Sequence, residues 1–112
     1  MASKYELKKS HYGHYFFDLK AGNGEVLLTG ETHVTLQSAL DGIASVRSNA
    51  RLGERYERKI TSDSQPYFLL KTDDGRTLAK SEIYPDFSAL ENGIAAVEHI
   101  AADAAIADLT EA

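Results

Sequence analysis

Cysteine and tryptophan are absent from this 112-residue chain, proline occurs only twice and methionine once. Without cysteine there can be no disulfide, no thiolate nucleophile and no Cys-ligated metal, a pattern compatible with a reducing cytosol. No run approaches the roughly 18 consecutive apolar residues of a membrane span, so a membrane partner is not expected. The stretch Met1-Ala2-Ser3-Lys4-Tyr5-Glu6-Leu7-Lys8-Lys9 has no apolar segment that could serve as a signal-peptide core, and a cytoplasmic protein is the expectation. Basic charge is also short, with 12 Lys and Arg against 17 Asp and Glu, so the net charge of −5 weighs against nucleic-acid binding through bulk electrostatics.

What the chain does contain, it contains twice. Residues 5–50 superimpose on residues 56–101 at a constant offset of 51 positions, without a gap. Tyr5, Glu6 and Lys8 fall on Tyr56, Glu57 and Lys59; Phe17, Leu19 and Lys20 on Phe68, Leu70 and Lys71; Gly24 on Gly75; Glu31 on Glu82. Gly42, Ile43, Ala44 and Val46 fall on Gly93, Ile94, Ala95 and Val97. An ungapped duplication preserves a packed unit. A unit of about 50 residues buries too little surface to be more than marginally stable alone, so the two halves should share one core and form a single domain. The first repeat spans about 4–50, the second about 55–101, with Asn49 to Glu54 as a short polar connector.

Within each repeat the apolar period changes once. Tyr5 to Lys8 and Tyr15 to Lys20 alternate in the manner of half-buried antiparallel strands. Asn23-Gly24 and Asp74-Gly75 mark a tight hairpin, both residues of each pair being expected at positive φ. A third strand follows, about Glu25 to Gly30 and Arg76 to Ser81. Leu36, Ala39, Leu40, Ile43 and Ala44 then take helical spacing, as do Phe87, Leu90, Ile94 and Ala95, with Thr35 and Asp86 placed as caps. Gly42 and Gly93 sit inside these helices although a mid-helix glycine costs about 1 kcal/mol, which indicates a close contact there. Ala101 to Ala107 either prolongs the second helix or breaks near Asp103 and ends in a strand, Ala105 to Leu109.

The segments Phe16-Phe17-Asp18-Leu19-Lys20-Ala21-Gly22-Asn23-Gly24-Glu25, Gly42-Ile43-Ala44-Ser45-Val46-Arg47-Ser48-Asn49-Ala50, Asn92-Gly93-Ile94-Ala95-Ala96-Val97 and Asp103-Ala104-Ala105-Ile106-Ala107-Asp108-Leu109-Thr110 together resemble the YegP-like family of small bacterial proteins, a domain of unknown function found singly or as a tandem pair. At Val34 this chain departs from common members, which carry a serine or similar polar residue near the helix start. The resemblance implies an α+β fold: two tandem β-β-β-α-β repeats, one antiparallel sheet, two helices on one face, and terminal strands exchanged between repeats. Under that reading Glu54 to Ile60 both follows the first helix and opens the second repeat, and a carboxyl-terminal strand lies at about 105–110. No activity, cofactor or catalytic residue comes with the resemblance. The expected core is Tyr5, Phe17, Leu19, Leu27, Leu36, Leu40, Ile43, Val46, Tyr56, Phe68, Leu70, Leu78, Phe87, Leu90, Ile94 and Val97.

Candidate chemistry is sparse. His11, His14 and His33 could be imagined as a metal site, but their equivalents are Ser62, Gln65 and Tyr84, and structural metal sites need three or four convergent ligands, so no metal is expected. His99, near the end of the second helix, is as readily a helix-end cation as anything else. Glu31 with Glu82, and Glu6 with Glu57, could act as paired carboxylates, yet repeated charges on strands are more often cross-strand partners of lysines such as Lys8, Lys20, Lys59 and Lys71. Ala21-Gly22-Asn23-Gly24 lacks the trailing Lys-Ser or Lys-Thr of a phosphate-binding loop. No catalytic constellation or cofactor motif emerges, and the expectation is not an enzyme.

By alternation, the sheet face away from the helices carries Lys8, Phe16, Lys20, Lys59, Tyr67 and Lys71 beside Glu6, Asp18, Glu57 and Leu69. That face is the candidate binding surface. A non-catalytic binding or accessory module contacting a protein or small ligand is the leading reading, and a monomer the expected state. Single-stranded nucleic acid stacking on Phe16 and Tyr67 is the first alternative. A small enzyme with a site between the repeats is the second; a deep polar pocket on the pseudo-twofold axis would favour it and a filled axis would oppose it.

Overall fold

The computed structural model describes residues 2–110. The elements run β1 (Lys4–Lys9), β2 (Tyr15–Lys20), β3 (Val26–Gly30), α1 (Leu36–Asn49), a 3-10 turn (Gly53–Arg55), β4 (Tyr56–Ile60), β5 (Pro66–Lys71), β6 (Thr77–Lys80), α2 (Phe87–Ile100) and β7 (Ala105–Asp108). The seven strands form one sheet in the order β4-β5-β6-β3-β2-β1-β7, so the two repeats join through β3 and β6. Thr29 faces Lys80 across that seam. These two residues are themselves related by the repeat offset, so the pseudo-twofold axis passes between them.

Both helices lie on the same side. α1 packs over β2 and crosses to β6 and β5, and α2 packs over β5 and crosses to β3, which places part of each helix on the other repeat's strands. On that side Tyr5, Leu7, Phe17, Leu19, Leu28, Phe68, Leu70 and Ala79 are buried, and from the helices Ala39, Ile43, Val46, Leu90, Ile94 and Val97 meet them. Each large side chain of this set contributes about 1.5–3 kcal/mol by leaving water. Thr35 Oγ1 accepts from Ser38 N at 3.0 Å and Asp86 Oδ1 from Ala89 N at 2.8 Å, so both expected caps satisfy an otherwise orphaned helical donor.

Buried tyrosines tie the repeats together. Tyr5 of β1 donates its hydroxyl to Ala101 O, just beyond α2, and Tyr56 of β4 donates to Ala50 O, just beyond α1, both at 2.5 Å. Each repeat's opening strand therefore caps the other repeat's helix. Burial pushes the Tyr5 hydroxyl up to about 12, partly offset by Arg47, whose guanidinium lies 5.3 Å from the ring centre. The Tyr56 hydroxyl is raised as well, by burial first and then by Glu98.

Several expectations are corrected in detail. Every neighbouring pair in the sheet is antiparallel except β1 and β7, which run parallel with Lys4 opposite Ala105. The chain leaves α2 beside the start of β1, where Tyr5 holds Ala101, so the tail enters at that end and runs alongside. The strand expected from Glu54 begins at Tyr56, because the preceding three residues close a 3-10 turn. In the hairpin turns Gly24 and Gly75 have φ of +88° and +87°, but Asn23 and Asp74 do not share the positive sign. The loops are three residues long, closed by Ala21 N to Glu25 O and Thr72 N to Arg76 O, a type I turn completed by one left-handed residue. Phe87 is 49% exposed rather than core; it opens α2 one turn ahead of the buried stripe Leu90, Gly93, Ile94 and Val97. Leu36 and Leu40 are half-buried at the margin of the α1 stripe.

Candidate functional site

The register fixes what the open face presents. Directly opposed residues place Ala107, Glu6, Asp18, Thr29, Lys80, Leu69 and Glu57 in one row across all seven strands. Flanking this row stand Lys4, Lys8, Phe16 and Lys20 on one side of the axis and Lys59, Tyr67 and Lys71 on the other. All six residues expected to form the binding face are thus together on it. Alternation along single strands did not place Lys80 there; the β3 to β6 pairing does, by setting it against Thr29 at the centre.

These side chains are already engaged. Glu6, 9% exposed, meets Lys20 Nζ at 2.9 Å, Lys4 at 3.3 Å and Lys8 at 3.5 Å. Asp18 accepts from Lys8 Nζ at 2.8 Å and from Thr29 Oγ1 at 2.8 Å. The hydrogen bond from Lys20 holds the Glu6 carboxyl below its ordinary range, and the one to Asp18 raises the Lys8 ammonium. Beyond the seam Glu57 pairs with Lys71 at 2.7 Å and with Lys59 at 4.0 Å, and its carboxyl is lowered chiefly by Lys71. Lys8 lies 6.0 Å from the Phe16 ring centre and Lys80 4.9 Å from that of Tyr67, so each aromatic sits beneath an ammonium. Lys80 has no ion-pair partner among the described residues. On the strands this face carries six lysines, Lys4, Lys8, Lys20, Lys59, Lys71 and Lys80, against three carboxylates, Glu6, Asp18 and Glu57. Three positive charges in excess stand on one face of a chain whose net charge is −5.

A second feature lies on the border between repeats. A polar cleft of about 710 Å³ is walled by the segment Glu31 to His33, by α1 and by the start of β6. His33 Nδ1 is 2.8 Å from Ser38 Oγ, and its Nε2 lies 3.1 Å from where a β-carbon on Gly42 would stand. In the second repeat Tyr84 takes the histidine's place; its ring lies over Gly93, with Cζ 2.6 Å from the equivalent point, and its buried hydroxyl has no hydrogen-bond partner among the described residues. The helix glycines therefore make room for the residue at position 33 or 84, which sequence spacing alone did not identify. Leu28, Gly30, Ala79 and Ser81 are buried beside the axis on the helix side, but a smaller groove of about 330 Å³, lined by the related pairs Thr29 and Lys80, Gly30 and Ser81, and Glu31 and Glu82, lies on the axis itself; the larger cleft is off-axis.

The histidines do not converge. His11 and His14 are exposed in the β1–β2 turn, and His33 is half-buried against α1. No group of three or more metal-ligating side chains occurs among the described residues. The His33 ring has a hydroxyl neighbour, but among the described residues it has no hydrogen bond to a carboxylate that would orient it as a base. Glu31 borders the cleft, and it also lines the smaller groove over the seam together with Glu82, both carboxylates being exposed. Among the described residues no helix is long and apolar enough to cross a membrane.

Comparison with known proteins agrees with the duplication. Residues 11–57 and 62–108 each match the family described as Domain of unknown function (DUF1508). The UPF0339 protein YegP of Yersinia pestis is 42% identical over 106 residues, 95% of each chain, and YegP of Escherichia coli K12 is 45% identical over 98 residues, 88% of this chain and 89% of that one. The solution NMR structure of the E. coli yegP protein, a protein of unknown function, superimposes with a TM-score of 0.93 at 41% identity, covering 100% of this chain and 97% of that one. The UPF0339 protein of Shewanella oneidensis gives a TM-score of 0.92 at 38% identity, covering 99% and 94%. Two copies of the domain, placed 51 residues apart as the internal repeat requires, and relatives matched along almost their whole length mean that this chain belongs to the DUF1508 family, in its tandem, YegP-like form.

Proposed function

We propose that this chain is a non-catalytic binding module that receives an acidic segment of a protein partner on the open face of its sheet. The observation that supports this reading is the local excess of lysine over carboxylate on that face, set against the acidic charge of the whole chain. The excess is greatest on the second repeat, where Lys59 and Lys71 pair with the single carboxylate Glu57 and Lys80 stands beside them without an ion-pair partner among the described residues. An incoming carboxylate there would meet ammonium groups that are only partly neutralised, and would bind with a marked salt dependence.

Single-stranded nucleic acid is a second reading, favoured by Phe16 and Tyr67 at equivalent positions in the two repeats. The lysines above both rings weigh against it, since a base would have to displace them before stacking. Two-dimensional NMR with a glutamate-rich peptide and a short single-stranded DNA, each at low and at physiological salt, separates the readings. The expected result is salt-sensitive shifts at Lys59, Tyr67, Lys71 and Lys80 with the peptide, lost in Lys71→Ala and Lys80→Ala. Binding indifferent to both substitutions would remove the open face from consideration. Substrate turnover abolished by one polar substitution would overturn the non-catalytic reading.

A further inference from the structure

The polar cleft beside α1 does not belong to the open face, and its charges are arranged differently. On the open face lysines and carboxylates meet within a few ångströms. In the cleft Glu31, Asp41 and Arg76 are all exposed, yet among the described residues none of the three forms an ion pair. Asp41 accepts only a hydrogen bond from Gln37, at 3.0 Å, which leaves its carboxylate charge uncompensated. Glu31 and Asp41 come from the first repeat and Arg76 from the second, so opposite charges stand on different walls of one cavity.

The rest of the lining is mostly hydrogen-bonding, with Leu78 and Gly42 as its apolar part. Ser38 and Ser45, two turns apart on α1, border the cleft together with Thr77. The equivalent positions of the second repeat are Ala89, Ala96 and Val26, Asp41 becomes Asn92, and Arg76 becomes Glu25. There Tyr84 fills the space over Gly93. Opening the space and supplying polar groups to it thus occur together, and only in the first repeat. A volume of about 710 Å³ lies within the range of small-molecule sites.

We propose that this cleft is a binding site for a free amino acid carrying one carboxylate and at least one ammonium group. The planar guanidinium of Arg76 suits a carboxylate, which it can hold through two parallel hydrogen bonds. Glu31 and Asp41 suit the ammonium, and the serine and threonine hydroxyls its remaining hydrogen bonds. Two carboxylates against one guanidinium leave the lining with one negative charge in excess, so the order of preference is basic, then neutral, then acidic amino acid.

The test is a titration of the full-length protein followed by two-dimensional NMR, with L-lysine, glycine and L-glutamate, and with butylamine and propionate as single-charge probes. Saturable shifts at Gly42, Ser45, Arg76 and Thr77 are expected, strongest for lysine and at least about tenfold weaker for butylamine and for propionate, one charge-assisted pair of hydrogen bonds being lost in each. Arg76→Gln and Asp41→Asn, both at exposed positions, are each expected to weaken lysine binding by about tenfold or more. His33→Tyr, which copies the second repeat, is expected to abolish it. Propionate or butylamine binding as well as lysine would overturn the proposal, and so would undiminished lysine binding in Arg76→Gln. Absence of any saturable shift at the cleft would overturn it too, and would leave the open face unaffected, because the two sites report through different residues.

Discussion

At position 33 the first repeat carries a histidine, and at position 84 the second carries a tyrosine. The two residues are equivalently placed: both follow the third strand of their unit, and both lie against a helix glycine. Tyr84 is 9% exposed and stacks at 6.3 Å on Phe68, filling the space over α2. His33 is shorter, turns to Ser38 and leaves a cleft. The open face diverges in a similar way, for Asp18 and Thr29 in the first repeat become Leu69 and Lys80 in the second. One repeat is more nearly neutralised on the sheet and open beside its helix; the other is packed beside its helix and more strongly cationic on the sheet. The two repeats share most of the residues that specify the fold and some charged positions, Glu6 with Glu57 and Lys20 with Lys71 among them, and differ at the polar positions that line the cleft and the centre of the open face.

The largest expected effect distinguishes the two helix glycines. Gly93→Ala drives a methyl group into the rigid Tyr84 ring and is expected to cost about 1–3 kcal/mol, as overpacking does. Gly42→Ala meets His33 at 3.1 Å and Phe17 at 3.3 Å, contacts that small adjustments relieve, and gains about 1 kcal/mol of helix propensity, so its net change is expected near zero. Urea denaturation of both variants measures the difference, and equal losses would mean that the histidine side is packed as tightly as the tyrosine side.

Where the repeats agree, equal effects are expected. Tyr5→Phe and Tyr56→Phe each leave a carbonyl at a helix end without its donor, at a cost of about 1–2 kcal/mol apiece. A marked inequality in thermal denaturation would show that the cross-brace is carried by one repeat.

The open faces should separate under acid. The Glu6 carboxyl is held below its ordinary value of 4.5, so its contribution is present above that pH and is lost as pH falls through the lower, folded-state value. The same sign holds for Glu57, but Glu6 is buried among three lysines and Glu57 is half-exposed with two. Glu6→Gln is therefore expected to flatten the acid limb of the stability curve below pH 4.5 more than Glu57→Gln does, as read by denaturation at pH 3–6. The smallest effect concerns the hairpins. Three of the four turns place glycine at positive φ, and the fourth places Ser64 at φ +64°. Ser64→Gly is expected to raise stability by about 0.5–1 kcal/mol, a gain that calorimetry would register as a higher Tm.

Much of this was legible in the sequence. An ungapped offset identified the repeat, alternation identified the strands and their open face, and Thr35 and Asp86 marked the helix starts, because each signal is local and occurs twice. Phe87 was misjudged because apolar spacing does not reveal where along a helix the sheet ends. Asn23 was misjudged because the dipeptide Asn-Gly suits more than one loop length. The cleft could have been suspected from His33 opposite Tyr84 together with two serines opposite two alanines, but only if position 33 had been known to face Gly42.

By itself, then, the sequence determined the duplicated unit, its order of strands and helix, and the polar and apolar faces of each element, since these follow from residue spacing along the chain. The tertiary structure alone decided that β7 runs parallel to β1, that Lys80 stands at the centre of the open face beside Thr29, and that Glu31 and Asp41 share a cavity with Arg76. Each of those facts joins residues far apart along the chain, and such pairings are set by how two units close around one core rather than by any local pattern.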